Sequence, residues 1–538
     1  MKKIILGLLF FGGIVYLTLP VLNYGFYPIA IIVFFILGLV YIFSMKISTD
    51  KEFKKFTVGQ PPHKAWKWVF LVLFLYLTII PLVTTATFLH TDRYQKLIGT
   101  VKKGNSISQQ MAPIGMDQIR VVDRNLAYLL GEKIIGSQPA LGSQVQLGQF
   151  SIQKVHNELY WVAPLLHSGF FKWMNNTQGT PGYVMVSATN ERDVRLVQQV
   201  GNQPVQLKFQ PGAFFQSNLH RHLYFNGYAT TGLEDFVFEI DESGRPYWVV
   251  STYEKTIGFS GKNTTGVVVV DAQTGDLKSY TLATTPAWVD RIQPSTIVET
   301  QLEDWGEYIN GYWNFSNKDK LQITEGLTLV YGKNNRSYWY TGITSVGSDE
   351  SAVGFVLVDT RTKETTFYKQ SGATEYAAQQ SAEGKVQEKG YKAALPIPYN
   401  INGIPTYIMT LKDDGGLVKM YAMVAINDYT IVGVGNSMRE TLTAFKSAYN
   451  SSGSKLASGD SRGKKQLESV VTRIQTDVKN GSSVYYFTVK GMDRIFVGSS
   501  QISAELPITT VGDSISISYD VDGETIIDVT RFDNKAFR

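Results

Sequence analysis

Gly266-Val-Val-Val-Val-Asp271-Ala-Gln-Thr-Gly-Asp276-Leu-Lys-Ser-Tyr280 decides how this chain is built. A β-branched run stops at an Asp, a short turn carries a Gly, and a second β-rich run returns, which is the pattern of a hairpin. Arg245-Pro-Tyr-Trp248 stands before it, and the same pair of phrases recurs as Arg336-Ser-Tyr-Trp339 with Gly354-Phe-Val-Leu-Val-Asp359 and Thr366-Phe-Tyr368. A paler copy runs from Leu159-Tyr-Trp161 through Gly182-Tyr-Val-Met-Val186 to Asp193–Val197. A fourth runs from Pro405-Thr-Tyr407 through Met420–Val424 to Tyr429-Thr-Ile431. A unit repeated without a repeated set of reactive residues builds a surface more readily than an active site.

Each copy follows a stretch with helical spacing. Asp123 can cap a helix carrying Leu126, Leu130 and Ile134, and Phe215, Leu219 and Leu223 recur at every fourth position before Gly227. Ser295 can cap Val298, Leu302, Trp305 and Ile309, and an Ala-rich stretch covers 374–389. Steps of three and four with a capping residue in front mark amphipathic helices. The reading predicts α+β units at 91–205, 206–290, 291–371 and 372–450, each a helix on one face of an antiparallel sheet. A helix followed by a Tyr-Trp strand, a Val-rich strand and an Asp-x-x-Thr-Gly hairpin resembles PepSY-like domains. The resemblance is best over 245–280 and holds in part over 336–368, where Lys363 replaces Gly275. It implies a binding or regulatory module of the cell envelope and brings no catalytic residue.

Before residue 91 the composition changes. Three uncharged apolar runs, 4–22, 25–43 and 68–89, each approach the ~20 residues that a membrane-spanning helix needs. Lys2 and Lys3 also suit a secretory signal, but no small-x-small cleavage site follows the first run. Residues 1–70 carry eight Lys, no Arg and two acids, and six of those Lys lie between the second and third runs. The positive-inside rule then places the N-terminus and that loop in the cytoplasm and the chain from about residue 90 outside. The expectation is a three-helix transmembrane region over 1–90 in a bacterial cytoplasmic membrane. The loop lysines suit anionic lipid headgroups. The remaining 468 residues are nearly neutral, at −1, which argues against nucleic acid as a partner despite a pI near 8.8. The chain has no Cys, so disulfides, thiolate metal sites and Cys nucleophiles are excluded.

Beyond a Ser/Gly-rich linker at 451–466, alternating strands over 467–538 predict a small β-barrel, OB-like or SH3-like. Asn480-Gly481 and Asp522-Gly523 mark its turns, and Ser437-Met-Arg-Glu440 is a capping box for the helix before the linker.

No cluster of polar residues converges on a reaction. On a helix His220 and His222 diverge by about 200° and cannot share a metal. Gly433-Val-Gly435 lacks the third glycine and the Lys-Ser/Thr pair of a phosphate loop. His167-Ser168 sits in no nucleophile elbow, Glu234-Asp235 and Glu303-Asp304 are sequence neighbours that point apart, and Asp271 and Asp359 suit hairpin caps. No catalytic residue, metal or cofactor is expected. Tyr160-Trp161, Tyr247-Trp248 and Tyr338-Trp339 place rings on both faces of their strands. One ring of each pair should be core. The other meets a neighbouring repeat or forms a binding platform. The chain reads as a non-catalytic, membrane-anchored envelope protein that binds a protein, a peptide or a wall polymer. A hydrolase or transferase with its site between repeats is the alternative, and a subunit of a membrane complex is a third.

Overall fold

The structure, a computed structural model, describes residues 2–44, 47–49, 56–58, 65–105, 107, 111, 118–324, 326–332, 336–347, 351–401, 403–452, 464–479, 482–500, 502–520 and 526–537. Lys51, Lys54, Lys55 and Lys64, most of the 451–466 linker, Gly481 and the Asp522-Gly523 turn lie outside them. The chain divides into two compact units, Met1–Ser454 and Lys455–Arg538.

The expected three-helix transmembrane region needs correction. Among the described residues one helix is long and apolar enough to cross a membrane, Lys67–Thr85, with mean hydropathy 2.2 and only 6% of it buried. Leu9–Thr18 is apolar but shorter. That helix stops at Thr18 because Leu19 turns left-handed (φ 46°) and Pro20 comes next. The whole helix, Lys2–Thr18, has 17 residues and at 1.5 Å per residue is about 25 Å long, a little short of the ~30 Å hydrocarbon thickness. A helix Tyr27–Ser44 succeeds it, and Ile47–Thr49 pairs with Phe56–Val58.

The row of helix-plus-sheet units also needs correction, because the large unit is mostly β-sheet and its helices are few. The first sheet runs Val145–Leu147, Glu158–His167, Tyr183–Ser187, Val194–Val197, with Ser151–Val155 on the same edge as Val145–Leu147. The second is a meander of Gly232–Ile240, Pro246–Ile257, Ser260–Asp271 and Leu277–Thr281. The third centres on Ser337–Ser345 and Gly354–Asp359. Its far edge takes Val101–Gly104 in parallel beside Thr365–Tyr368. The fourth centres on Ile404–Lys412, Val418–Ala425 and Asp428–Gly435.

Three of these sheets carry their first edge strand as two short pieces, Val145–Leu147 with Ser151–Val155, Leu321–Ile323 with Thr328–Tyr331 and Lys392–Ala393 with Ile397–Ile401. The second sheet keeps a continuous strand and absorbs the break as a bulge at Asp235, which adopts φ 57°. In each sheet the Val-rich strand is buried on both faces, so a single covering helix would leave half of its apolar surface wet. Sheets therefore share cores with sheets. Tyr160, Val162 and Tyr183 of the first sheet join Phe238, Trp248 and Val270 of the second. Trp161, Val184 and Val186 of the first join Trp339, Val356 and Val358 of the third. Tyr338, Tyr340 and Phe355 of the third join Tyr407, Met409 and Val424 of the fourth. The order of shared cores is second, first, third, fourth, which is not chain order. The helix before the second sheet is only Leu219–Leu223, capped by Asn218.

The small unit is a closed five-stranded barrel. Lys464–Lys479 pairs with Ser514–Asp520 along its first half and with Ser482–Val489 along its second, so one long strand closes the circle. Phe487, Phe496, Tyr519 and Phe532 fill it.

Candidate functional site

Of the six aromatic residues that the sequence offers as a platform, Tyr160, Trp161, Trp248, Tyr338 and Trp339 are 4–6% exposed. Tyr247 is half-buried against Trp288, with ring centroids 5.1 Å apart. The rings are buried because each indole is a peg. Trp161 Nε1 donates to Val122 O (2.7 Å), Trp248 Nε1 to Phe209 O (2.9 Å) and Trp339 Nε1 to Gln293 O (2.9 Å). In the fourth sheet Tyr407 takes the indole's place and its hydroxyl donates to Ala373 O (3.4 Å). Val122, Gln293 and Ala373 each precede a helix N-cap, at Asp123, Pro294 and Thr374. The repeated aromatic thus pins the chain where it enters a helix, satisfying a buried indole N–H in the process. None of these three repeated Tyr-Trp pairs forms an exposed platform.

The other sequence candidates resolve into structural roles. Asp271 Oδ1 accepts from the N–H groups of Gln273 (2.8 Å) and Thr274 (3.0 Å), while Arg245 pairs with its other oxygen at 2.6 Å. Asp359 repeats this with Arg361, Thr362 and Arg336. Lys363, where the second sheet has Gly275, sits at φ 62° and is tethered by Nζ to Leu97 O (2.8 Å) and Asn263 Oδ1 (2.7 Å). Burial brings its ammonium down to about 8. His220 packs against Phe236 with the rings tilted (centroids 4.0 Å apart) and His222 Nε2 meets Gly275 O (2.8 Å), so the two rings do not converge. Gly433 and Gly435 exist for close packing. A Cβ at Gly433 would stand 2.3 Å from Phe445 N, and one at Gly435 2.6 Å from Thr441 N. The capping box forms: Ser437 Oγ accepts from Glu440 N, and Glu440 reaches back to Asn436 N. Among the described residues no group of three or more His, Asp or Glu could hold a metal.

Two places in the large unit have the character of a site. The first is a half-open cleft of about 560 Å³, lined by Ser137, Gln138, Gln144, His167, Lys172, Asn176, Thr180 and Gln198 among others. Its lining holds amides, hydroxyls, one imidazole and one ammonium together with the apolar Leu141, Val145 and Pro181, and no acid. His167 is 3% exposed, its Nε2 has no hydrogen-bond partner, and burial lowers its pKa so that the ring is neutral. Gln210 fixes the wall behind it, accepting from His167 N (2.8 Å) and donating to Thr180 Oγ1 (2.9 Å).

The second is a charged junction where three sheets meet. The segment between the second and third sheets is tied down along its length. Arg361 donates to the carbonyls of Thr285, Pro286 and Val289, Ser337 and Thr360 donate to Asp290 O, and Ser251 donates to Ile292 O. This strap carries Asp290 and Arg291 beside Glu239 and the bulged Asp235. Burial raises Asp235 against the pull of Arg291, and raises Asp290 although Lys154 N and Tyr331 OH bond to it. Glu239 is fully buried and is pushed up to about 8, burial outweighing Arg291. Burial and then Arg291 lower Arg124, whose guanidinium lies 6.0 Å from the Trp161 ring, with Arg120 at 5.8 Å. Acids raised by burial beside guanidiniums are what proton transfer or anion binding needs, and they also occur in structural networks. Sequence reading missed this junction. Its members lie far apart in the chain, and only the left-handed Asp235 marks it locally.

No family model matches the chain, and no curated protein does. Among solved structures a sialidase aligns over 79% of this chain at 10% identity with a TM-score of 0.15. The chain spans about half the length of that structure, 47%, and a likeness so weak assigns neither fold nor activity.

Proposed function

We propose that this protein is a membrane-anchored, extracytoplasmic binding protein of a bacterial cell envelope, and that it works without catalysis. The observation that carries the reading is the apolar helix Lys67–Thr85. It is almost wholly unburied, yet Tyr76, Thr84 and Thr85 in its second half touch the folded unit. Phe259 N, at the tip of the second sheet's long hairpin, donates to Thr85 Oγ1 (3.0 Å), and the Phe259 ring meets Tyr76 at 5.9 Å. A Cβ at Gly258 would lie 2.5 Å from Thr84 Oγ1. A helix apolar on every side and uncovered by protein is at home in lipid. The lysine-rich stretch before the helix supports an outside location for the chain beyond it.

The occupant fits the cleft at His167 better than any Tyr-Trp face. An acid-free lining of amides, hydroxyls and one Lys, with Leu141, Val145 and Pro181 beside them, suits a peptide or wall-polymer segment. A photo-crosslinking residue at Lys172 in living cells tests this. A discrete adduct to a wall or protein component is expected. Absence of any adduct there, with membrane extraction unchanged, refutes binding at the cleft. Location is tested by Leu417→Cys in intact cells, where an impermeant maleimide should label before lysis. Labelling only after lysis refutes the outside placement.

The charged junction favours a second reading, a hydrolase or transferase with a site between sheets, since Asp235, Glu239 and Asp290 carry raised pKa values. Asp235→Asn separates the two. If it abolishes the cellular phenotype while stability and crosslinking at the cleft stay normal, the enzyme reading stands.

A further inference from the structure

The helix Lys67–Thr85 runs into Thr87–Gln95, and Phe88 on this second helix is 46% exposed. Its ring meets Tyr312 at 6.0 Å, Tyr312 meets Trp313 at 5.1 Å, and Trp313 meets Phe315 at 5.8 Å. The rings form one chain, and they are wet: Tyr312 is 36% exposed, Trp313 68% and Phe315 78%. Single exposed rings are ordinary, but a contiguous aromatic patch is not.

The loop that carries them is built. Asn314 Nδ2 and Asn310 Nδ2 both donate to Lys318 O (2.8 Å each), and Asn314 Oδ1 accepts from Ser316 Oγ (3.1 Å) and Lys318 N (3.3 Å). Asn317 and Asp319 take φ of 55° and 59° to close the turn. Lys320 is held to Glu307 at 2.5 Å. A loop stapled in this way presents Trp313 and Phe315 outward without the entropy cost of ordering them on contact.

Position chooses the occupant. Phe88 lies three residues beyond Thr85, across the non-helical Ala86 (ψ 124°), so it stands within about 10 Å of the end of the apolar helix. The headgroup layer adds roughly 5–8 Å to each side of the hydrocarbon core. Side chains with an apolar body and a polar edge concentrate at that depth, and Lys beside them reaches the headgroups.

We propose that the Tyr312–Phe315 loop, with Phe88, is a lipid-contacting foot that rests in the headgroup layer beside the anchor. This rests on the reading of Lys67–Thr85 as the anchor. The foot would hold the folded unit at a fixed tilt to the membrane, where a single flexible attachment would let it swing.

The absence of Cys makes the test direct. Single-Cys variants of the full chain, Val72→Cys on the anchor, Phe315→Cys on the foot and Leu417→Cys on the fourth sheet's turn, are spin-labelled in phospholipid nanodiscs. All three positions are exposed, at 63%, 78% and 51%. Collision with oxygen and with a water-soluble nickel chelate then reports depth. The expected result is lipid depth at 72, headgroup depth at 315 and free access of the chelate at 417. If 315 is as open to the chelate as 417 while 72 stays in lipid, the foot is refuted and the anchor stands. If 72 is itself open to the chelate, the anchor reading fails first. If 315 is shielded from oxygen and chelate alike, a protein covers the loop and the lipid assignment is overturned.

Discussion

Glu239→Gln should stabilise the large unit at alkaline pH and leave it nearly unchanged in acid. Glu239 is fully buried, and its carboxyl moves from 4.5 to about 8, first because burial penalises the charge. A raised acid pKa means that the folded state holds a proton which the unfolded chain has released. Stability therefore falls as pH rises from about 4.5 through about 8 and is level above that. At about 1.4 kcal/mol per unit the full loss approaches 5 kcal/mol. Gln has the shape of the protonated acid and never ionises, so the variant should escape that loss. At pH 5 the two proteins should agree within about 1 kcal/mol. All nine Trp lie before residue 454, so Trp emission tracks the large unit without signal from the barrel. Denaturant midpoints at pH 5, 7 and 9 in detergent make the comparison, and other carboxylates cancel in the difference. Parallel pH curves for the two proteins would refute the reasoning. A variant weaker at every pH would mean that charged Glu239 gains more from Arg291 than its burial costs.

Trp161→Ala, Trp248→Ala and Trp339→Ala should each cost about 3–5 kcal/mol, read as a lowered melting transition, since each removes a core ring and a buried hydrogen bond. Gly433→Ala should loosen the helix Met438–Ser451, because its Cβ would strike Phe445 backbone, and limited proteolysis should cut there first. Arg361→Ala should free the strap, costing about 2–4 kcal/mol and speeding amide exchange over 285–293, as three carbonyls lose a charged donor.

Local chemistry was legible in the sequence and assembly was not. The capping role of Asp271 and Asp359, the Asp123 and Ser437 helix starts and the Val-rich strands follow from spacing within ten residues or so, where turn and cap geometry is fixed. Tyr160 and Trp161 show the limit. Alternation puts them on opposite faces, but that both faces are buried depends on partners near residues 248 and 339. The parallel seat of Val101–Gly104 beside Thr365–Tyr368 has no signal in either segment. The charged junction is invisible for the same reason, since Asp235, Glu239 and Asp290 become perturbed only through sheets that the sequence does not join. The apolar runs before residue 91 state composition. Leu19 and Pro20 decide where the first helix stops, which composition alone does not convey.

The order in which the sheets share cores governs how the chain can be made. Synthesis delivers the first sheet long before the third, and Trp161, Val184 and Val186, which share a core with Leu126 and Ala127 of the helix Arg124–Gly136, find the rest of their partners only at Trp339, Val356 and Val358. From Val197, where the first sheet ends, to Val358 is about 160 residues, which at about 5–20 residues per second lasts roughly 8–32 s. For that time the core on one face of a finished sheet stays incomplete, and the strand from 101–104 waits longer still. A nascent chain in this state needs shielding from its neighbours. A truncation at any repeat boundary before residue 368 leaves that core incomplete for good, so the repeats, though alike in sequence, are not interchangeable parts that can be removed one at a time.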